Sequence, residues 1–243
     1  MSDVPESDDA FSILERLAGS VEAPADWAAD HDHYLYGTLT EPERLRGYLS
    51  PELLPTALSQ TTSMTIRRTG EAFEDTIQLT VVGDRLRAGQ RAPAFDLDCL
   101  APGDAFPHSV SLDDSAGAVR LLNVINSIDT PVCHVETRRW DELRAEIPAE
   151  VRTYTVSMDL PFALSRWQAA ENARHELLSS HRSERFGEDY GVLLEEWRLL
   201  QRAVFVIAPD GTIAHAEYVA DQMKEPDYDA ALAAIRRVLP AEG

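Results

Sequence analysis

The chain has 243 residues, 42 acidic against 22 basic side chains, a formal charge of −20 and two cysteines. That length suits one domain with an extension, and 44% hydrophobic residues suffice for a packed core. Two cysteines without a C-x-x-C pair exclude a disulfide scaffold and a zinc cluster, and the acidic excess argues against nucleic acid or an anionic membrane as partner. The opening segment MSDVPESDDAFSILERL lacks the basic region and long apolar stretch of an export signal, so a cytoplasmic location is expected. The spread of acidic charge fits either an ordinary cytosolic protein or a salt-adapted surface.

Residues 1–61 read as a short, mainly helical N-terminal extension, with helical patterns at Ala10–Leu17 and Glu41–Leu49. Residues 62–243 alternate between strand and helix periods. Met64–Arg67 and Thr76–Val82 predict a hairpin, and Ala94–Leu97 a short strand. Val119–Ile125 (VRLLNVI) is apolar enough for a buried central strand. A helix is predicted over Pro131–Ile147 and a strand over Val151–Ser157, which together make a right-handed crossover and a parallel pair. Further helices are predicted at Phe162–Glu171 and Glu176–Ser180. Ala203–Ala208 (AVFVIA) is a second buried strand, turned by Pro209-Asp210-Gly211 into a hairpin partner at Thr212–Val219. A last helix opens at Glu225-Pro226 and runs to Leu239. Crossover, hairpin and closing helix follow the order of a thioredoxin-like three-layer α/β/α sandwich.

The sharpest constellation lies where the central strand gives way to a helix: Ser127-Ile128-Asp129-Thr130-Pro131-Val132-Cys133. Thr130 suits the N-cap and Pro131 the first helical position, which puts Cys133 third. There the Thr130 hydroxyl is the expected partner of the Cys133 N–H, and the positive end of the helix favours a thiolate. Arg138 and Arg139 add positive charge further along. On this local pattern alone, a capped helix holding a small buried cysteine is the simpler reading. A disulfide exchanger needs a second cysteine three residues before Cys133, and that position holds Thr130. A lone thiolate can instead attack a peroxide O–O bond, giving a sulfenic acid and releasing water or alcohol.

Several separated stretches then combine. Ser127–Cys133 is followed by Thr137-Arg138-Arg139, by Met158-Asp159-Leu160-Pro161-Phe162-Ala163 with Ser165-Arg166, and by Phe186–Val192. Arg202-Ala203-Val204 and Glu225-Pro226-Asp227-Tyr228 with Ala230-Ala231-Leu232 complete the set. In this order and spacing, residues 62–243 resemble the bacterial thiol peroxidases, a subgroup of the peroxiredoxins. The resemblance implies a thioredoxin-like fold, a homodimer, and reduction of hydrogen peroxide or alkyl hydroperoxides without metal or organic cofactor. It implies Cys133 as the peroxidatic cysteine, Thr130 as the hydroxyl that contacts peroxide, and Arg202 as the guanidinium that stabilises thiolate and bound peroxide. Five donors in a rigid fork suit Arg202 to an anion, although on its own it reads as a charged residue at a strand edge.

Two positions depart from the family. Asn126 stands seven residues before Cys133, where the family has a proline that shields the thiolate, and a wetter thiol is expected. Gln168 follows Arg166-Trp167, where the family has its resolving cysteine, so the family's intramolecular disulfide cannot form there. This predicts a one-cysteine enzyme served by an external thiol such as thioredoxin or a low-molecular-weight thiol. Cys99 lies elsewhere and reads as structural. The competing reading is a degenerate redoxin acting as a non-catalytic binding or redox-regulatory protein, which Asn126 and Gln168 support and Thr130, Cys133 and Arg202 oppose. Asp30-His31-Asp32-His33 has metal-ligand residue types without a third partner and reads as a solvated loop. His134 points to a different helix face from Cys133, and Trp140 shares its face and reads as core. Trp167, Trp197 and Phe162 fit either the wall of a peroxide pocket or an interface.

Overall fold

The computed structural model describes residues 66–239. The two helical patterns of the N-terminal segment and the run Asp30–His33 lie outside the described residues. In chain order the elements are β1 Arg67–Glu74, β2 Ile77–Val82, β3 Asp96–Cys99, β4 His108–Ser111, β5 Arg120–Val124, α1 Pro131–Glu142, β6 Arg152–Ser157 and α2 Pro161–Glu171. They continue with β7 Glu176–Ser179, α3 Arg185–Asp189, β8 Leu193–Leu194, β9 Leu199–Leu200, β10 Ala203–Ile207, β11 Ile213–Tyr218 and α4 Tyr228–Val238.

Seven strands form one sheet in the order β11-β10-β5-β6-β7-β3-β4, and β1-β2-β8-β9 form a second. β5 runs parallel to β6, with Leu122 opposite Tyr154, and antiparallel to β10, with Leu122 opposite Phe205. Every residue of β5 and β10 is buried, as their apolar runs predict for strands covered on both faces. Alternation along β5 divides the core in two. Leu122 and Val124 pack with Tyr154, Phe205, Phe186 of α3 and Tyr190 just after it. Leu121 packs on the other side with Trp140 of α1 and with Leu232 and Ile235 of α4. Just past the strand, Ile125 joins Cys133 of α1 and Leu164 and Trp167 of α2. Two crossovers of one hand along β5, β6 and β7 set α1 and α2 on a common face, and the thioredoxin-like layered fold follows.

Some expected elements are corrected. Glu176–Ser179 is a strand, not a helix, and pairs parallel with β6 and antiparallel with β3. So short an apolar run carries no period, and its two neighbouring strands decide its conformation. The first hairpin strand, expected to end at Arg67, runs Arg67–Glu74, while Met64 and Thr65 lie outside the described residues. Its ladder slips between Arg68 and Ala72, around Gly70 at φ 76°, which breaks the alternation that marks a strand. The helix from Pro131 ends at Glu142 and tightens into a 3-10 turn at Leu143–Ala145, so Ile147 reaches the core from beyond it.

Candidate active site

Cys133 is the third residue of α1 and is fully buried. Thr130 occupies the N-cap with extended backbone, as expected, but its side chain does not cap the helix. Its hydroxyl donates to Ser127 O at 2.9 Å instead of accepting from the Cys133 N–H. The Thr130 N–H meets the same carbonyl at 3.1 Å, so the chain turns tightly enough for a local bond to win. Asp159, two residues past the end of β6, holds this turn: its carboxylate accepts from Ser127 Oγ at 2.7 Å, the Ile128 N–H at 2.8 Å and Ser157 Oγ at 2.7 Å.

Arg202 lies immediately before β10 and is fully buried. Its Nη2 donates to Gln222 O at 3.0 Å and sits 3.4 Å from both Cys133 Sγ and Asn126 Oδ1. Its Nη1 pairs with Glu136, which is equally buried. Desolvating a lone guanidinium costs several kcal/mol, and the Glu136 carboxylate offsets that cost. Glu136 stands three residues after Cys133 on the same helix face. A second fixing point is Gln222, whose Oε1 accepts the Arg202 backbone N–H at 2.9 Å.

Cys133 and Arg202 are therefore brought into contact, and Thr130 stands one turn away at the helix start. Glu136 and Gln222 are additions that sequence reasoning missed. A charged residue on the apolar face of the Cys133 helix was a usable signal for Glu136. Nothing in the sequence marks Gln222. Asn126 does not wet the pocket: only 5% of it is exposed and none of Cys133. Its Nδ2 donates to Leu200 O at 2.6 Å and Gln222 Oε1 at 3.1 Å, which ties a polar side chain into the protein.

Other candidates sort themselves around this centre. Trp167 shares the Cys133 cluster, and its Nε1–H donates to His134 Nδ1 at 2.8 Å, so that nitrogen is engaged away from the sulfur. Trp140 is core. Phe162 is 59% exposed, and Trp197 packs against the second sheet. Arg138 and Arg139 are exposed and pair with Glu142 and Glu171 rather than serving the thiol. Gln168 donates to His175 O at 3.0 Å and Ala173 O at 3.4 Å, bracing the loop after α2. Cys99 faces the opposite side of the sheet from Cys133, in the cluster of Phe95 and Leu178. Its strand is three steps from β5, about 14 Å at normal strand spacing and about twice the Cα separation a disulfide allows. Burial, followed by the charges of Glu176 and Asp104, pushes its thiol up to about 11.

A model of the AhpC/TSA family matches residues 88–216. The chain belongs to the AhpC/TSA family. Within it, the thiol peroxidase of Halalkalibacterium halodurans is 43% identical over 162 residues, covering 66% of this chain and 94% of that relative. The thiol peroxidase of Bacillus subtilis is 39% identical over 162 residues, covering 66% and 93%. Among solved structures, a peroxiredoxin-like protein from Aquifex aeolicus aligns with a TM-score of 0.61 at 29% identity, over 72% of this chain and 99% of that one. As an AhpC/TSA protein with thiol peroxidase relatives matched over nearly their whole length, this is a thiol-dependent peroxidase of the peroxiredoxin type. Among the described residues, no helix is long and apolar enough to cross a membrane.

Proposed function

We propose that Cys133 is the peroxidatic nucleophile, that Thr130 and Arg202 are its catalytic partners, and that the enzyme works with one cysteine. The observation that carries this reading is the contact of Arg202 Nη2 with the buried Cys133 Sγ at 3.4 Å, at the start of a helix. The guanidinium sets positive charge against the sulfur and its remaining donor capacity faces any anion beside it. The Thr130 hydroxyl, already donating to Ser127 O, keeps oxygen lone pairs that accept a peroxide O–H. The thiolate attacks one peroxide oxygen, the O–O bond breaks, and the second oxygen leaves as water or alcohol on taking a proton. Arg202 and the first turn of α1 stabilise the negative charge that passes to the leaving oxygen.

With Gln168 at the family's resolving position and Cys99 across the sheet, an external thiol attacks the sulfenic sulfur, forming a mixed disulfide and water, and a second thiol restores Cys133. Thioredoxin and low-molecular-weight thiols both fit this step. The non-catalytic reading finds no support, because Asn126 and Gln168 are both built into hydrogen bonds that leave the Cys133–Arg202 contact intact.

The reading extends to a cytoplasmic homodimer in which residues 62–243 form the catalytic domain and residues 1–61 an extension. Leu160 and Phe162, 55% and 59% exposed at the start of α2, offer apolar surface to a second copy. Sedimentation of the wild-type protein and of Phe162→Glu tests the dimer. Stopped-flow oxidation by hydrogen peroxide followed by mass spectrometry tests the chemistry. Rapid sulfenylation at Cys133, absent in Cys133→Ser, is expected, and oxidation no faster than that of a free thiol refutes the assignment.

A further inference from the structure

Asn126 is a tightly specified side chain beside the thiol. Both hydrogens of its amide are engaged, to Leu200 O and to Gln222 Oε1. Gln222 can only accept at Oε1, because its own Nε2 donates to Val219 O at 2.7 Å and Ala220 O at 3.3 Å. Flipping either amide sets oxygen against oxygen, so the network allows one orientation. Asn126 Oδ1 is thereby held 3.4 Å from Arg202 Nη2 and 3.8 Å from Cys133 Sγ, in a site closed to water. A carbonyl oxygen accepts the S–H of a neutral thiol but has nothing to offer a bare thiolate. Toward a sulfur that carries a hydroxyl, it is an acceptor already in place.

We infer that Asn126 is a specificity-determining residue for the fate of the oxidised enzyme: its Oδ1 accepts the O–H of Cys133 sulfenic acid and keeps that acid neutral until a thiol arrives. The inference rests on the reading of Cys133 as the peroxidatic thiol. Two reactions compete for the intermediate. A reducing thiol attacks the sulfenic sulfur, the S–S bond forms, and the hydroxyl departs with the thiol proton as water. Alternatively, the deprotonated sulfenate uses its sulfur electron pair on a second peroxide: an S–O bond forms, the O–O bond breaks, alcohol or water leaves, and sulfinate remains. Holding the proton on oxygen suppresses the second reaction and leaves the sulfur electrophilic for the first. The need is acute in a chain whose sulfenic acid must wait for a diffusing thiol, with Gln168 where a tethered one would stand.

The test treats the full-length protein with hydrogen peroxide in the presence of 2-mercaptoethanol and quantifies sulfinic acid and mixed disulfide at Cys133 by mass spectrometry. Asn126→Leu keeps the shape and removes the acceptor, and Asn126→Ala does so without bulk. Each is compared after its thermal unfolding curve confirms a folded state. The ratio of sulfinic acid to mixed disulfide is expected to rise about tenfold in both, the loss of one net hydrogen bond. In the wild-type protein, at a fixed concentration of 2-mercaptoethanol thiolate, sulfinic acid formed per turnover is expected to climb from mildly acidic to mildly alkaline pH as the held proton is removed. An unchanged ratio in a folded variant, or a pH-independent yield in wild type, overturns the inference and leaves the catalytic assignment standing. Failure of peroxide to oxidise Cys133 in wild type overturns both.

Discussion

Glu136 holds the Nη1 group of Arg202 while the Nη2 group of the same guanidinium lies 3.4 Å from Cys133 Sγ, and all three residues are shut off from water. The carboxylate is what permits a permanent positive charge beside a buried thiol. Removing it leaves Arg202 without its counter-charge, so Glu136→Gln is expected to cost about 3 kcal/mol of stability. The displaced guanidinium should also slow peroxide oxidation of Cys133 by about tenfold. Thermal unfolding and stopped-flow fluorescence read the two effects, and Glu136→Asp, which keeps the charge at shorter reach, should recover part of each.

Cys99 lies across the sheet from Cys133, and burial raises its thiol to about 11. Native protein alkylated at mildly alkaline pH should therefore be labelled at Cys99 far more slowly than after unfolding. Cys99→Ala should keep the peroxidase rate within about twofold and lose about 1 kcal/mol, as a small core truncation does. A Cys99–Cys133 disulfide found after peroxide treatment of folded protein contradicts this placement.

Gln168 braces the loop between α2 and β7 through Ala173 O and His175 O. Gln168→Ala should lose about 1–2 kcal/mol in urea unfolding while leaving the first oxidation of Cys133 at its wild-type rate. A large kinetic loss would instead place Gln168 in the chemical step.

The Asp141 carboxyl is held below its ordinary range chiefly by the His175 imidazole, 3.7 Å away; partial burial opposes this, and the Arg174 N–H at 2.9 Å adds to it. Because the folded protein binds this proton more weakly than the unfolded chain does, Asp141 stabilises the fold whenever it is ionised. That contribution is complete above pH ~4 and is lost as pH falls through the lower, folded value. Urea unfolding at a series of acidic pH values should show a shallower decline in Asp141→Asn than in wild type.

The legible parts of this protein were those written in local pattern. VRLLNVI and AVFVIA are buried strands because nothing but a two-faced core takes such runs, and Thr130-Pro131 starts a helix by its own backbone preferences. The expected helix at Glu176–Ser180 is a strand over Glu176–Ser179 because so short a run carries no period, and only β6 and β3 beside it settle its conformation. Spacing typical of a family singles out Cys133 and Arg202. It does not single out Glu136 and Gln222, which are joined to Arg202 only by contact across 66 and 20 residues of chain. Asn126 was visible as an anomaly, but its sense depends on Leu200 and Gln222, which no local reading joins to it.

Because Thr130 turns its hydroxyl back to Ser127, the helix bearing Cys133 begins without the side-chain cap its sequence suits, which forgoes roughly 1 kcal/mol of helix stability. An oxygen ligand brought to that first turn supplies what the protein has withheld. Occupancy and heat resistance are then linked: for an unreactive oxygen ligand that binds the folded state alone, stability rises with the logarithm of ligand concentration.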